Sequence, residues 1–508
     1  MSIRSVPDEE ILSQPEDYKI SDVVIRNSVG KTLAIPIGVI SELNIFEDIQ
    51  NNAVTGSMYI LDNYNIVTEA GLQGNERLSF YLSTPGRQTA GFNHVVDASE
   101  KSGFPFHIYA VKERKPTSEK MMVYEVLFGS RELMRNTRLR VNRAYTGRLD
   151  QQVIKILRDK EGLNTRKYIY YEPTRNSDTV VMPNLRPFDA VNLLSSKGLS
   201  GNAKGAGYYF YETTKGFYFR SVENMLAEQS TDPRQTARVL KYERPDQKGP
   251  VDTRTHSVQK TNVQSYRFIN QFNTLINQAA GTYASNVITY NIYDKSYKSV
   301  NYKYHDHYQR MIHTDTDKDL PETKRSYPIA QNPVDRDPKE GNHIGDKTVS
   351  DYPGSRVILQ PSTRYLHNDN TGVFGTSTES EGLTEAIRVS QYNQIHHSTL
   401  LEIVTTGASD LQAGDIIHFD MPNMTPDGGS PGDYIGDSRY SGRYLITKLR
   451  HRVMDKSYKQ ILHCIKDSVL TNQTEDIGSN FPDPEGGRKL SVNLYEDIDN
   501  MKSPNPHR

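Results

Sequence analysis

The residues of this sequence whose types could do chemistry fall into four groups. His305-Asp306-His307 offers two imidazoles and a carboxylate. Read as part of a strand, its two histidines share one face and Asp306 takes the other. Two imidazoles without a further ligand fall short of a zinc site, which needs three or four. Gly198, Gly201, Gly205 and Gly207 make a glycine-rich loop. It lacks the Gly-Lys-Ser/Thr ending that cradles a phosphate, so it reads as the lead-in to a hairpin. Asp427, Asp433 and Asp437 share one loop. Their spacing is not that of an EF-hand, and a solvated loop is the expected state. His396-His397 has no recognisable partner at a helix-to-strand junction. No nucleophile elbow, zinc-protease helix or glycosidase acid pair stands out. The sequence therefore points away from an enzyme, and no cofactor or metal is expected.

The elements around these residues are mostly strands. Leu400 to Thr405 alternates with a period of two, Gly407 breaks the run, and Ile416 to Phe419 begins a second strand. A Gly/Pro/Asp loop from Met421 to Gly442 follows. Then come Arg443 to Leu449 and Tyr458 to Ile465, which completes four antiparallel strands of sandwich or barrel type. Near the start, Ile40 to Ile49 and Val54 to Asp62 face each other across Gln50-Asn51-Asn52 as a long hairpin. Phe106 to Val111 and Met122 to Phe128 pair around a charged loop. An amphipathic hairpin with unpaired edges is a template for another chain. Ile45, Phe46, Ile49, Met58, Tyr59 and Ile60 are accordingly the candidate subunit or tube interface; an ordinary hairpin of a closed barrel is the alternative.

Residues 146–226 change character. Leu149, Val153, Ile156 and Leu157 recur at helical spacing, and Pro187 opens a second helix where its missing N–H costs little. Tyr208 to Glu212 and Gly216 to Ser221 then form a hairpin. Residues 227–256 read as a charged connector. Phe268, Phe272, Leu275 and Ile276 fall at i, i+4, i+7 and i+8, a helical stripe ended by Gly281. Ile288 to Tyr293 and Val300 to Tyr304 alternate as strands. The expected organisation is a mainly β chain with α+β parts: an arm (1–20), a first antiparallel β-barrel (21–145), a small mixed domain (146–226), the connector (227–256), a second barrel (257–310 and 385–468), a long polar insertion (311–384) and a tail (469–508).

Composition bounds the function. The 508 residues are 35% hydrophobic, with a mean hydropathy of -0.68. Tyr is abundant at 32 while Trp is absent. Tyrosine pairs an apolar body with a polar tip, which suits subunit interfaces, though polar barrel walls would use it too. The formal charge of -1, from 61 basic and 62 acidic residues, gives no long-range field for holding nucleic acid. Cys464 is the single cysteine, which excludes an intrachain disulfide and any zinc site with two thiolates. It reads as an inert core thiol. No stretch is apolar enough to span a membrane, and the N-terminus lacks the apolar core of a signal peptide. A cytoplasmic protein, or one that leaves the cytoplasm inside an assembly, is expected.

Two sets of residues also carry a family resemblance. Glu42-Leu43-Asn44-Ile45-Phe46-Glu47-Asp48-Ile49, Thr55-Gly56, Asp62 and Gly74-Asn75-Glu76 form the first. Thr406-Gly407, Leu411, Ala413-Gly414-Asp415, Ser441 to Ile446, Arg450-His451 and Lys466-Asp467-Ser468 form the second. Both resemble the baseplate central hub proteins of contractile-tailed bacteriophages of the T-even type. Pro183-Asn184, Pro187-Phe188 and the Tyr211-Glu212 to Gly216-Phe217 hairpin resemble the small domain between that family's two tube-type barrels. The resemblance implies a structural homotrimer whose six similar barrels form a pseudo-sixfold ring. Such a ring adapts a trimeric central spike to a hexameric tail tube, starts tube assembly and meets the surrounding baseplate wedge proteins. Genomic DNA would pass through its lumen without specific binding. The implied location is the virion tail baseplate, reached from the host cytoplasm during assembly. Two other readings are weighed with it: a baseplate-associated cell-wall hydrolase, and a spike component of a phage-like secretion system.

Overall fold

The computed structural model describes residues 16, 18–84, 95–201, 205–227, 238–242, 263–292, 295–315, 326–330, 333–335, 347–361, 381–421, 437, 439–455 and 457–470. Nearly all of the expected arm and tail, most of the connector and parts of the insertion lie outside them, as do Asp427 and Asp433.

The chain is mainly β. Its first half supplies β1 (Lys19–Arg26), β2 (Thr32–Ala34), β3 (Ile40–Asp48), β4 (Thr55–Asp62), β5 (Arg77–Ser83), β6 (Val95–Asp97), β7 (Phe106–Ser118) and β8 (Met121–Gly129), with helix α1 (Ile66–Ala70) after β4. They lie in the order β3-β4-β8-β7-β5-β1-β2, with β6 also on β5. One face buries a core that includes Ile45, Met58, Ile60, Phe80 and Phe128.

A small unit that mixes helices and short strands follows. It holds α2 (Arg131–Arg138), β9 (Ala144–Arg148), α3 (Leu149–Arg158), β10 (Tyr168–Tyr171), β11 (Ser177–Val181), α4 (Pro187–Ser195), β12 (Tyr208–Thr213), β13 (Gly216–Ser221) and α5 (Val222–Ala227). Leu149, Val153, Ile156 and Leu157 are all buried on one side of α3, against Phe188 and Val191 of α4 and the β12–β13 hairpin.

The second half holds β14 (Arg238–Lys241), within the stretch read as connector, and β15 (Val263–Asn270). Between β15 and the next strand of its sheet come α6 (Thr274–Ala280), β16 (Ala284–Tyr290), β17 (Tyr297–Lys303), α7 (Tyr304–Tyr308), three short strands β18 (Tyr327–Pro328), β19 (Pro333–Asp335) and β20 (Lys347–Thr348), then β21 (Val357–Pro361) and α8 (Glu381–His397). The sheet resumes with β22 (Thr399–Thr406), β23 (Ile416–Asp420), β24 (Gly442–Met454) and β25 (Ser457–Lys466), followed by β26 (Ser468–Val469).

This corrects the expected second unit. The strands read as its opening, β16 and β17, form a separate three-stranded sheet with β21. The unit opens instead with β15, which pairs with β22. The helical stripe misled because it straddles two elements. Phe268 lies in a strand, and the helix begins only after Asn273, whose side chain accepts a hydrogen bond from the Ile276 N–H (3.1 Å). The insertion therefore runs from 271 to 398.

The second half lies in the order β15-β22-β25-β24-β23-β14. Lettering the five main strands of each half a to e in chain order, β3, β4, β5, β7 and β8 match β15, β22, β23, β24 and β25. Both halves then run a-b-e-d-c. Neither half closes into a hydrogen-bonded barrel among the described residues. They join into one sheet of 14 strands, because β24 forks: Gly442–Leu445 pairs with β23, and Lys448–Met454 pairs with β3.

Candidate assembly surface at the junction of the two halves

The six candidate interface residues sit on the β3–β4 hairpin, and the structure divides them. Ile45, Ile49, Met58 and Ile60 are fully buried in the chain's own cores. Phe46 is 38% exposed, and Tyr59 is half-buried. The hairpin has no free edge, since β3 is flanked by β24 and β4 by β8. Alternation in a sequence marks a buried face, but it does not say how many neighbours a strand has. Of the six, Phe46 and Tyr59 reach the surface. The Arg450 guanidinium lies 5.7 Å from the Phe46 ring centre. The Tyr59 hydroxyl, hydrogen-bonded to the Glu125 carboxylate, is held above its ordinary pKa.

The seam between β3 and β24 is laced with charge. Glu42 bonds Arg450 (3.0 Å) and Arg452 (2.9 Å), and Asp48 bonds Lys448 (3.2 Å). The Asn44 side-chain oxygen accepts from Arg450 Nε at 2.9 Å. Part-exposed pairs of this kind contribute up to about 1 kcal/mol each, so they set register more than stability.

Beneath the seam, three units meet at Glu47. Its carboxylate is buried and accepts from the Thr214 N–H (2.7 Å) at the β12–β13 turn and the Ala413 N–H (3.0 Å) before β23. Burial raises its pKa, and these two N–H groups offset the shift only in part. Around it lies a shared core of Ile49, Tyr211, Tyr218, Ile395, Ile416 and Leu445. Thr213 and Tyr218 both donate to Gln412 Oε1, at 2.9 and 3.1 Å. Glu212, itself buried, ties the small domain to the first half: it accepts from the Val54 N–H (3.0 Å) and pairs with the partly buried Lys167. Glu47 falls within the hub-like stretch, yet its role was missed. A charged residue in an inward run was the available signal.

A second buried cluster fastens the insertion to the end of β25. Asp467 accepts from the Thr314 N–H (2.9 Å) and hydroxyl (2.8 Å), and pairs with His313 Nδ1 at 2.8 Å. Lys466 pairs with Asp315 at 3.0 Å. Burial alone would lower the His313 pKa, but the Asp467 carboxylate outweighs it and raises it. Burial would likewise raise Asp467, but the His313 charge and the Thr314 donors hold it below the usual range. Each partner thus favours the charged form of the other.

The chemistry-bearing groups take structural roles. His305 and His307 lie in helix α7 rather than a strand, because Tyr304 and Tyr308 at i and i+4 are both buried. Two residues apart on a helix, the histidines diverge. His305 Nε2 is 2.9 Å from the Ala330 carbonyl, and His307 stacks on Tyr302. Among the described residues no group of three or more His, Cys, Asp or Glu could hold a metal ion. In the glycine-rich loop, the Gly205 N–H donates to Glu223 (3.2 Å), and the Ala206 and Gly207 N–H groups donate to Gln391 Oε1. Those amides are not available to a phosphate. Asp437 accepts from the Arg439 and Tyr440 N–H groups (2.8 Å each), as a turn residue does. His396 is 3.4 Å from Gln50 Nε2. Cys464 is buried, and burial pushes its thiol pKa up. No described helix is long and apolar enough to cross a membrane.

No family model matches the chain, and no curated protein matches it. Solved structures similar to it include a tail protein from Neisseria meningitidis MC58, with 10% identity, 88% of this chain and 96% of that chain covered, and a TM-score of 0.43. The 43 kDa tail protein of prophage MuSo2 from Shewanella oneidensis has 8% identity, 89% and 99% coverage and a TM-score of 0.45. The E. coli c3393 protein, a component of the type VI secretion system, has 12% identity, 89% and 76% coverage and a TM-score of 0.37.

Proposed function

We propose that the protein is a structural hub of a contractile phage-tail baseplate. Three chains form a ring with six similar half-sheets, which joins a trimeric central spike to a hexameric tail tube and starts tube assembly. The observation that carries this reading is the repeated strand order, a-b-e-d-c in each half. A chain holding two copies of one wall lets threefold symmetry present six like surfaces. Three features support it further: the hub-like residues in both halves, the balanced charge that leaves DNA free to pass, and the structural contacts of His305, His307 and His313. The role is structural rather than catalytic, with baseplate wedge proteins outside the ring and the virion as its final location. The test is assembly state. Mass photometry across a concentration range should show trimers, and class averages down the axis should show six lobes. A monomer at every concentration, or three lobes without sixfold modulation, would overturn the reading.

A further inference from the structure

The two halves use their edges differently. The outer edge of β3 is covered by β24, in register from Glu42 to Asp48. The matching strand β15 pairs with β22 on one side and with no strand on the other among the described residues. Strand d shows the converse. β24 serves β23 with its first part and β3 with its second. Its counterpart β7 pairs with β5 only at Phe106 and His107. From Tyr109 onward that edge has no strand neighbour among the described residues. The seam inside the chain uses one edge of each kind, and one of each kind is left over.

The match holds residue by residue. In β24 a bulge at Thr447 separates its two partners, with Ile446 opposite Cys464 and Lys448 opposite His463. In β7 the bulge falls at Tyr109, with Ile108 opposite Phe128 and Ala110 opposite Leu127. Phe128 faces Gly56, which faces Ile45; Cys464 faces Leu401, which faces Phe268. Lys448 thus corresponds to Ala110 and Phe46 to Asn270, and two residues further on Asp48 corresponds to Phe272.

We propose that the end of β15 and the residues just after it, Asn270–Asn273, pair antiparallel with Tyr109–Lys112 of β7 in the next copy, repeating between subunits the start of the β3–β24 seam. This rests on the ring reading and names the edges that close the ring. Ala110 then lies opposite Phe272, and Lys112 opposite Asn270. The inner seam has the Lys448–Asp48 ion pair at the first of these positions; the outer seam has a small residue against an aromatic one. Phe272 is 58% and Leu275 81% exposed, with Ile269 and Ile276 beside them. An exposed apolar cluster next to an open edge marks a contact surface. β15 has no proline and one charge, Arg267. Beyond Lys112, β7 carries Glu113 at φ 53, a bulge and Pro116, devices that keep an edge from pairing. The contact therefore stops at Lys112. Joining unlike edges is a head-to-tail contact, which closes when the rotation per subunit divides a full turn.

Cysteine cross-linking of the full chain tests this, since its native Cys464 is buried. Under mild oxidation, Ala110→Cys with Phe272→Cys should give covalent dimers and trimers. The yield should be about tenfold above that of Arg114→Cys with Phe272→Cys, because the in-register pair alone meets disulfide geometry. Trimers by mass photometry without covalent species would overturn the edge pairing and leave the trimer standing. Monomers without covalent species would overturn both. A disulfide within one chain would also overturn it. On the unaltered protein, hydrogen exchange should show amides of 109–112 and 270–273 protected in the assembled state. Exchange as fast as in loops would sink the proposal independently of any variant.

Discussion

In the first half-sheet, strands a and b are joined by a turn of residues 49–54; in the second, residues 271–398 stand between them. The order a-b-e-d-c survives that difference. So does a packing detail: strand b ends in Thr-Gly in the second half and begins with it in the first, and each glycine lies under an aromatic ring from strand e. A Cβ on Gly56 would sit 2.3 Å from the Phe128 ring, and one on Gly407 would sit 2.1 Å from the Tyr458 ring. The half-sheets share a pairing scheme and a way of bringing strands b and e close, while their loops and core residues differ. A wall of this kind tolerates a domain-sized insertion where a tight turn would do, because the insertion leaves at the end of a strand and returns at the start of its neighbour.

The comparison can be broken first at the insertion. Asp467→Asn removes one partner of the buried pair with His313, which costs about 3–5 kcal/mol when the other charge stays buried. The loss should fall on one side. Hydrogen exchange should rise across 284–315 and spare 55–62; an equal rise in both would mean the halves do not act separately. The second test uses the glycines. Gly56→Ala and Gly407→Ala should each lower unfolding free energy by about 3 kcal/mol, since neither ring has room for a methyl group. Chemical denaturation that found one costly and the other neutral would refute the packing parallel.

The third and smallest effect is confined to the second half. His451 is buried, with Nδ1 2.7 Å from the Tyr458 hydroxyl. Burial, with a smaller contribution from the charge on Lys215, pushes its pKa from 6.5 down to about 4. A folded pKa below the unfolded one gives stability that is present above the unfolded value and lost as pH falls towards the folded value. Between about pH 7 and pH 5 this group should cost about 2 kcal/mol. Comparing unfolding at the two pH values in wild type and His451→Phe isolates it. An unchanged pH dependence in the variant would remove His451 from the account.

Much of the fold was legible in local patterns. The β3–β4, β12–β13 and β24–β25 hairpins followed from alternation, and α3 and α4 from helical spacing and Pro187. What failed was any statement about partners across the chain. Alternation in Ile288 to Tyr293 and Val300 to Tyr304 announced two strands, β16 and β17, but not their sheet. The stretch from Phe268 to Ile276 fitted a helix by spacing, although its first residues were strand and much of its apolar stripe faces outward. The six hairpin residues were read as edge residues, while the seam that buries that edge lies some 400 residues away in sequence, at Lys448–Met454. A contact such as His313 with Asp467 leaves no local signature, since each partner alone resembles an ordinary surface charge; Glu47 stood out in an inward run, but nothing beside it named the Ala413 N–H as its partner.

The forked strand β24 has a mechanical consequence. Because one continuous backbone is laddered to both walls, no hinge separates them, and swivelling one against the other would shear every rung from Lys448 to Met454 together. An annulus assembled from such stiff arcs could widen or narrow only where one polypeptide ends and the next begins.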